Sequence, residues 1–377
     1  MRHYGNWTAC KVTMMSQAMP VNATANLPLR NNRNASEGLV CPGCGEPLVK
    51  TTGKLDCPSC GQNWPLVDGI PHFVSEFPYW GEIPQERMRE VNSLAQAGNN
   101  WKNVLLDSPD PDIQRASTMI LNLERANWHY LLDLLPNSRV LDLGAGTGTT
   151  SHALAMHYRE VVALEPVLER VQFMQHRFSQ EKLSNVQLVR SSLWTLPFAP
   201  ESFDLVAMNG VLEWVAEGRA GDPEELQKCA LRNAFRLLRP GGYLYVGIEN
   251  RFSPGYFIGY TDPHAGVPFV TVLPRPLAHW YARKKGLQGY RNYLYTSVGY
   301  RKLLRRAGFT RFEFYLAVPS YNHPRFLIPL TGNGFSYYSQ NFNHIRSRGI
   351  RRLLHSLLLN LGVLKYFEYS FVILAGK

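Results

Sequence analysis

Residues 139–149, RVLDLGAGTGT, decide the fold of this chain of 377 residues. Val140, Leu141 and Leu143 form an apolar strand that runs into a turn holding Gly144, Ala145, Gly146 and Gly148. A tight strand-to-helix turn asks for positive φ, and a ligand there must approach bare backbone; both needs favour glycine. In an open α/β sheet, ligands bind at the carboxyl ends of the strands, where such turns lie. The spacing is G-x-G-x-G. The third glycine of a G-x-G-x-x-G dinucleotide loop would fall at Thr149, which counts against a nicotinamide enzyme.

Further segments extend the pattern in order. Residues 161–165, VVALE, read as a second buried strand ending in an acid, Glu165, 21 positions after Gly144. Residues 203–209, FDLVAMN, read as a later strand followed by GVLEWV, and 236–249, RLLRPGGYLYVGIE, as a helix end, a Pro-Gly-Gly turn and a strand. As a set, over about 125–318, these segments resemble class I S-adenosylmethionine (SAM) dependent methyltransferases. The resemblance implies an α/β fold, with a Rossmann-like sheet of seven strands, and SAM as cofactor. It implies that Asp142 and the glycine loop hold the methionine part and that Asn209 also lines the cofactor site. Glu165 is expected to accept hydrogen bonds from both ribose hydroxyls, a task that suits a carboxylate. Many relatives carry an Asp after the third strand for the adenine amino group; Ser192 stands there, so its hydroxyl or the backbone of Leu193 is expected to serve.

Four of the six cysteines form Cys41-Pro-Gly-Cys44 and Cys57-Pro-Ser-Cys60, two C-x2-C knuckles twelve residues apart. Two such knuckles complete a tetrahedral zinc site, and four thiolates leave no open position, so the metal is expected to be structural. Loss of the metal in evolution is the rival reading. With the following WPLVDGIPHFV, the knuckles resemble the small zinc ribbon fused to bacterial methyltransferases and found free as an activator subunit of eukaryotic ones. Domains are accordingly expected at 1–36 (a polar, Asn-rich, disordered tail), 37–75 (zinc ribbon), 76–125 (helical connector broken at Pro78, Pro84, Pro109 and Pro111) and 126–377 (methyltransferase domain with a basic insertion at about 319–368). Cys10 and Cys229 read as a tail residue and a helix residue.

The acceptor side is less sharply marked. The loop after 203–209 offers Asn209, Glu213 and Trp214; the loop IENRFSPGYFIGYTDPHAGVPF, 248–269, offers Glu249, Asn250, Arg251, Tyr260, Asp262 and His264. His264, oriented by Asp262, could take a proton from an acceptor hydroxyl, with Glu249 beside it. A lone histidine is more often packed or exposed. The same loop, with PSYNHPRFLIP at 319–329, resembles methyltransferases of bacterial cell-surface polysaccharide assembly, which implies a sugar or glycan acceptor, lipid-linked or nucleotide-linked.

Charge is unevenly placed. The net is +11, yet residues 1–262 carry −4 and residues 263–377 carry +15, with only Glu313 and Glu368 as acids. Such a segment suits a phosphate-bearing partner, whether an anionic membrane surface, a phosphorylated substrate or RNA, or else is a solvated basic face. Leucines recurring from Ile350 to Leu364 suit an interfacial helix or an ordinary lid packed on the sheet. Tyrosines in 279–300 could stack sugars or bases. The chain shows neither a signal peptide nor an apolar tract long enough for a bilayer, so a cytoplasmic protein, membrane-peripheral at most, is expected. An RNA methyltransferase is the weaker reading, because Asn-Pro-Pro-Tyr and catalytic-cysteine motifs of base methylation are missing. A small-molecule methyltransferase stays open beside the glycan reading, as does a binding module that kept the fold.

Overall fold

The computed structural model describes residues 37–341, 357–358 and 361–377. The expected disordered tail with Cys10, and the leucine stripe apart from Leu357, Leu358, Leu361 and Leu364, lie outside them.

The ribbon is a four-stranded antiparallel meander, β1 (Val49–Thr51), β2 (Lys54–Asp56), β3 (Asn63–Val67) and β4 (Ile70–Pro71). Each knuckle closes in the same way. Gly45 donates its N–H to the Cys41 carbonyl at 2.8 Å, and Gly61 donates to Cys57 at 3.0 Å. Both glycines take left-handed φ, +82° and +73°, where a side chain would be strained. The ribbon has no separate core: Leu39, Leu48, Leu55 and Phe73 bury into the same cluster as Leu141, Leu164 and Phe198. A small module gains its apolar burial by leaning on a larger one. The seam is backbone as well: Phe73 N–H meets the Arg190 carbonyl at 2.8 Å, and Arg190 N–H meets Pro71 at 3.0 Å.

Three helices follow, α1 (Gln85–Gln96), α2 (Trp101–Leu106) and α3 (Pro111–Ile120). Asp110 caps α3 by accepting the N–H groups of Asp112 and Ile113, with Pro111 at the first turn. Met88, Val91, Trp101, Leu105 and Ile113 pack round Phe173 of α5 (Leu168–Gln180). The segment read as a connector is therefore a helical layer laid on the main domain.

The main sheet holds β5 (Arg139–Leu143), β6 (Glu160–Leu164), β7 (Val186–Val189), β8 (Phe203–Asn209), β9 (Leu238–Glu249), β10 (Arg311–Val318), β11 (Phe326–Pro329) and β12 (Ser370–Gly376), in the order β11-β10-β12-β9-β8-β5-β6-β7. The five strands β5 to β9 are parallel; β12 pairs antiparallel with β9, β10 antiparallel with β12, and β11 antiparallel with β10. The resemblance implies seven strands, and eight are present among the described residues. The extra edge strand, β11, comes from the start of the region read as an insertion. A four-residue run ending in proline gives little alternation to read, but it buries Ile328 and is followed by buried Leu330. Last in chain order, β12 lies between β9 and β10 with all its strand residues buried.

Alternate strand residues feed the two faces, as the pleat requires. Leu141, Val162, Val206 and Val246 join one core with Ala230, Leu231 and Ala234 of α6 (Pro223–Leu237) and Leu303 and Leu304 of α9 (Ser297–Ala307). Val140, Val161, Leu205 and Ala207 join the other with Trp128 and Leu154 of α4 (Thr149–Ala155). The short helices α7 (Pro254–Phe257) and α8 (Arg275–Lys284) follow β9, and α10 (Gly334–Asn341) follows β11.

One expectation from the basic third is corrected. Tyr290, Tyr293 and Tyr295 are not a stacking surface; they enclose the Arg275 guanidinium, whose carbon stands 3.9 Å from the Tyr293 ring centre. Arg291 is spent on the carbonyls of Ala216, Arg219 and Gly221. Among the described residues of the leucine stripe, Leu357 and Leu361 are exposed, whereas Leu358 packs against the main core. No helix among the described residues is long and apolar enough to cross a membrane.

Candidate functional site

The chain reverses its winding at β5, which pairs with both β6 and β8, and a cleft of about 600 Å³ opens at the carboxyl ends of these strands. That is where ligands bind in open α/β sheets. A second hollow, about 540 Å³, lies between Trp64 of the ribbon and Trp194, Asn233 and Arg236. It contains no acid and no histidine, so chemistry belongs to the first.

One end of the cleft is lined by Leu143, Gly144, Leu164, Glu165, Pro166, Val167, Ser192 and Leu193. Gly144 sits at φ +81°, and a Cβ there would come within 2.7 Å of Val211. The turn can therefore be built only with glycine at this position. Glu165 is buried, and both of its oxygens hold backbone: Oε2 accepts Gly146 N–H at 2.8 Å and Oε1 accepts Val167 N–H at 3.1 Å. A carboxylate oxygen has two acceptor sites, so each retains capacity toward the cleft. Burial pushes this carboxyl up, and the Arg170 guanidinium opposes it.

Asp142 is placed differently from expectation. It is buried beneath the turn and accepts Ser151 Oγ–H at 2.6 Å; burial pushes it up to about 6. It ties the turn to α4 and is not among the residues lining the cleft, nor are Ala145, Gly146 and Gly148. Ser192 and Leu193 line the cleft, with Ser192 Oγ accepting Trp194 N–H at 3.3 Å. Asn209, at the end of β8, accepts the Tyr245 hydroxyl at 2.6 Å and lies between the two ends of the cleft.

The other end gathers Glu213, Trp214, Glu249, His264 and Tyr321. Asp262 stands behind His264, fully buried, and its Oδ1 accepts the N–H groups of His264 and Ala265 at 2.8 and 3.1 Å. Its Oδ2 accepts the Thr271 hydroxyl. Burial disfavours charge here, but these hydrogen bonds and His264 outweigh it and hold Asp262 below its ordinary range. His264 Nδ1 lies 3.1 Å from Asp262 Oδ1, and since a carboxylate only accepts, Nδ1 carries the proton. Nε2 points into the cleft, 3.6 Å from Glu213 Oε1 and 3.7 Å from Glu249 Oε2. Glu249 Oε1 accepts the Tyr321 hydroxyl at 3.1 Å.

Burial and the neighbouring Glu213 push Glu249 up to about 7. Burial works against charge on His264, but Asp262, Glu213 and Glu249 prevail and push it up to about 11.

Of the candidates on the long loop, the structure brings together Glu249, Asp262 and His264 and leaves the others outside. Asn250 is a buried clamp, donating to the carbonyls of Tyr366 and Glu368 at 2.8 Å each. Arg251 donates to the carbonyls of Thr271 and Leu273, and Tyr260 is exposed. Sequence reasoning misses Phe77, Trp80 and Arg125, which the helical layer contributes to the cleft, and Tyr321. Trp80 stacks edge-on against Trp214 at 4.3 Å, and Trp214 against His264 at 4.9 Å. Nothing in a proline-broken polar segment marks a tryptophan as a wall residue. Tyr321 stands within PSYNHPRFLIP, where no pattern distinguishes it from its neighbours.

The four ribbon cysteines are free thiols whose sulfurs all lie within 4.8 Å of one another, with 3.5 Å between Cys41 and Cys60 and 3.4 Å between Cys44 and Cys57. Four sulfurs each about 2.3 Å from a shared ion would stand about 3.8 Å apart, so the cluster is compact enough to hold one. Gly43 N–H donates to Cys41 Sγ at 3.3 Å, as a thiolate would accept.

Residues 141–246 match the family described as a methyltransferase domain. The chain is 36% identical over 115 residues to a demethylmenaquinone methyltransferase of Corynebacterium efficiens, covering 30% of this chain and 43% of that one. It is 26% identical over 192 residues to a ubiquinone biosynthesis O-methyltransferase of Xanthomonas campestris, covering 51% of this chain and 72% of that one. With a biotin biosynthesis bifunctional protein of Cellvibrio japonicus it shares 32% over 143 residues, covering 37% of this chain and 25% of that one. The chain thus spans less than half the length of the first and last of these relatives. The matched segment carries a Rossmann-like methyltransferase domain, and it begins in β5 and ends in β9.

Proposed function

We propose that this chain transfers a methyl group from SAM to a hydroxyl of a small-molecule acceptor. The observation that carries the reading is the single cleft. It joins a glycine turn and a buried strand-end carboxylate at one end to Glu213, Glu249 and His264 at the other. Bound at the first end, SAM would supply an electrophilic methyl group on a sulfonium.

Glu165 presents its two remaining acceptor sites to a vicinal diol, and Gly144 lets backbone approach the cofactor without a side chain between. Ser192 and the Leu193 backbone would face the adenine of SAM. Asn209, pinned by Tyr245, divides the two ends. Glu249 and His264, with Asp262 behind, form the polar wall that meets the acceptor's hydroxyl, and Trp80 and Trp214 exclude water from it. About 600 Å³ is the size of a site for one drug-sized ligand. Shared with the cofactor, it admits only the reacting end of a larger acceptor.

Relatives acting on quinone precursors support a small-molecule acceptor. A terminal sugar of a glycan is the rival occupant, but none of the tyrosines expected to stack it lines the cleft, and nothing else at the site selects for it. The ribbon cysteines Cys41, Cys44, Cys57 and Cys60 would hold a structural zinc. The test is calorimetric binding of S-adenosylhomocysteine, followed by label transfer from SAM to hydroxylated aromatic and sugar acceptors. A protein that does not bind S-adenosylhomocysteine would sink the proposal.

A further inference from the structure

We infer that Glu213, Glu249 and His264 form a binding site for a divalent metal ion, distinct from the ribbon cysteines. Their three ligand atoms converge within 4.8 Å of one another at the polar end of the cleft. Glu213 is 1% exposed, and neither of its carboxylate oxygens has a hydrogen-bond partner; Glu249 Oε2 has none either. Buried carboxylate oxygens without donors are costly, and one from each of two carboxylates beside an imidazole nitrogen calls for a cation.

The distances select the kind of cation. Nε2 of His264 stands 3.6 Å from Glu213 and 3.7 Å from Glu249, too far for hydrogen bonds between them. Atoms each about 2.1–2.2 Å from one ion lie about 3.4–3.6 Å apart at tetrahedral angles and about 3.0–3.1 Å apart at octahedral ones, a difference that small side-chain movements span. Acceptors round an ammonium group, each about 2.8 Å from its nitrogen, would lie about 4.6 Å apart. The observed spacing fits the ion.

The surroundings are those of a metal ligand set. His264 donates its Nδ1–H to Asp262, which fixes the ring and directs Nε2 at the ion, the usual outer-shell arrangement, and an ion bound there would take the place of any proton on Nε2. The Trp214 ring lies across the imidazole and shields it from water. One imidazole and two carboxylates suit Mn²⁺, Mg²⁺ or Zn²⁺. Three protein ligands leave open positions that an acceptor oxygen can fill, and an ion there would lower the pKa of that hydroxyl. Only this last point rests on the proposed function; the ion site stands on geometry alone.

The test uses Mn²⁺ as probe. The whole 377-residue chain, purified with its ribbon cysteines unaltered, is titrated with MnCl2 while free Mn²⁺ is followed by electron paramagnetic resonance. Wild type is expected to bind one equivalent; Glu213→Gln and His264→Ala are expected to weaken it at least about tenfold. S-adenosylhomocysteine affinity, measured in parallel, certifies that the variants fold. If a variant does not fold, the wild-type stoichiometry decides. Wild type that leaves Mn²⁺ free at millimolar concentration, or Glu213→Gln that binds it as tightly, overturns the inference. So does a wild type that ignores Mn²⁺ but is stabilised by a simple alkylammonium ion. Mn²⁺ bound without S-adenosylhomocysteine binding would instead defeat the methyltransferase reading and leave the ion site standing.

Discussion

Glu165, at the end of β6, accepts the backbone N–H of Gly146 at 2.8 Å, so the strand-end acid and the glycine turn of β5 are one unit. The acid that is to hold the ribose also fixes the shape of the loop that is to hold the methionine part. Glu165→Ala should therefore lower S-adenosylhomocysteine affinity by roughly 1–3 kcal/mol, read by calorimetry. Unchanged affinity would remove Glu165 from the ribose.

Cys57 is buried at the junction of ribbon and sheet, in the core cluster that also holds Leu141 and Phe198. Cys57→Ser is expected to strip the ribbon of metal and to lower the melting temperature of the whole protein. Metal analysis and calorimetry check both. A wild type without zinc at this site would contradict the ribbon assignment.

Asp262→Asn keeps the shape of the side chain but trades an acceptor for an amide that can also present a donor to His264. Methyl transfer should fall by roughly 10–100-fold while cofactor affinity holds. Equal activity in the two proteins would show that the orientation of His264 does not matter.

Trp80→Ala opens the wall over Trp214 without touching Glu165. The acceptor's KM should rise several-fold and S-adenosylhomocysteine binding should change little; steady-state kinetics and calorimetry separate the two. A loss confined to cofactor binding would place the acceptor elsewhere.

Burial holds His72, His129 and His152 down to about 4. Each is neutral in the fold and would titrate near 6.5 when unfolded. Protons therefore favour the unfolded chain at these three sites, and their contribution to stability is lost as pH falls below about 6.5. Imidazole NMR shifts should stay flat from pH 8 to about 5; titration of any of the three near 6.5 would contradict its burial.

Much of the fold is legible in the sequence because backbone chemistry leaves marks there. Gly144 and Gly146 announce a turn that L side chains resist, Cys41 to Cys60 announce two knuckles, and the runs at 161–165 and 203–209 are β6 and β8 with the expected residues at their ends. The acceptor wall is legible only in part. Glu249 and Asp262 stand on one loop with His264, which marks them, yet their meeting with Glu213 depends on β8 and β9 being sheet neighbours. Trp80 and Arg125 escape notice because their segment bears the breaks of a linker, and contacts between α1 and α5 bring it back over the cleft. Tyr290, Tyr293 and Tyr295 mislead because an aromatic run looks the same whether it faces solvent or, as here, wraps Arg275.

The position of β12 also bears on how the molecule comes to be assembled. A ribosome releases β10 before β12, yet β10 has no place in the sheet until β12 has paired with β9. During synthesis, β9 must wait with one hydrogen-bonding edge bare, and the apolar face of β10 must wait with it. Unpaired edges of this kind invite association with other chains. A premature stop after β10 would thus yield an aggregation-prone polypeptide, even though the glycine turn and Glu165 had already been made.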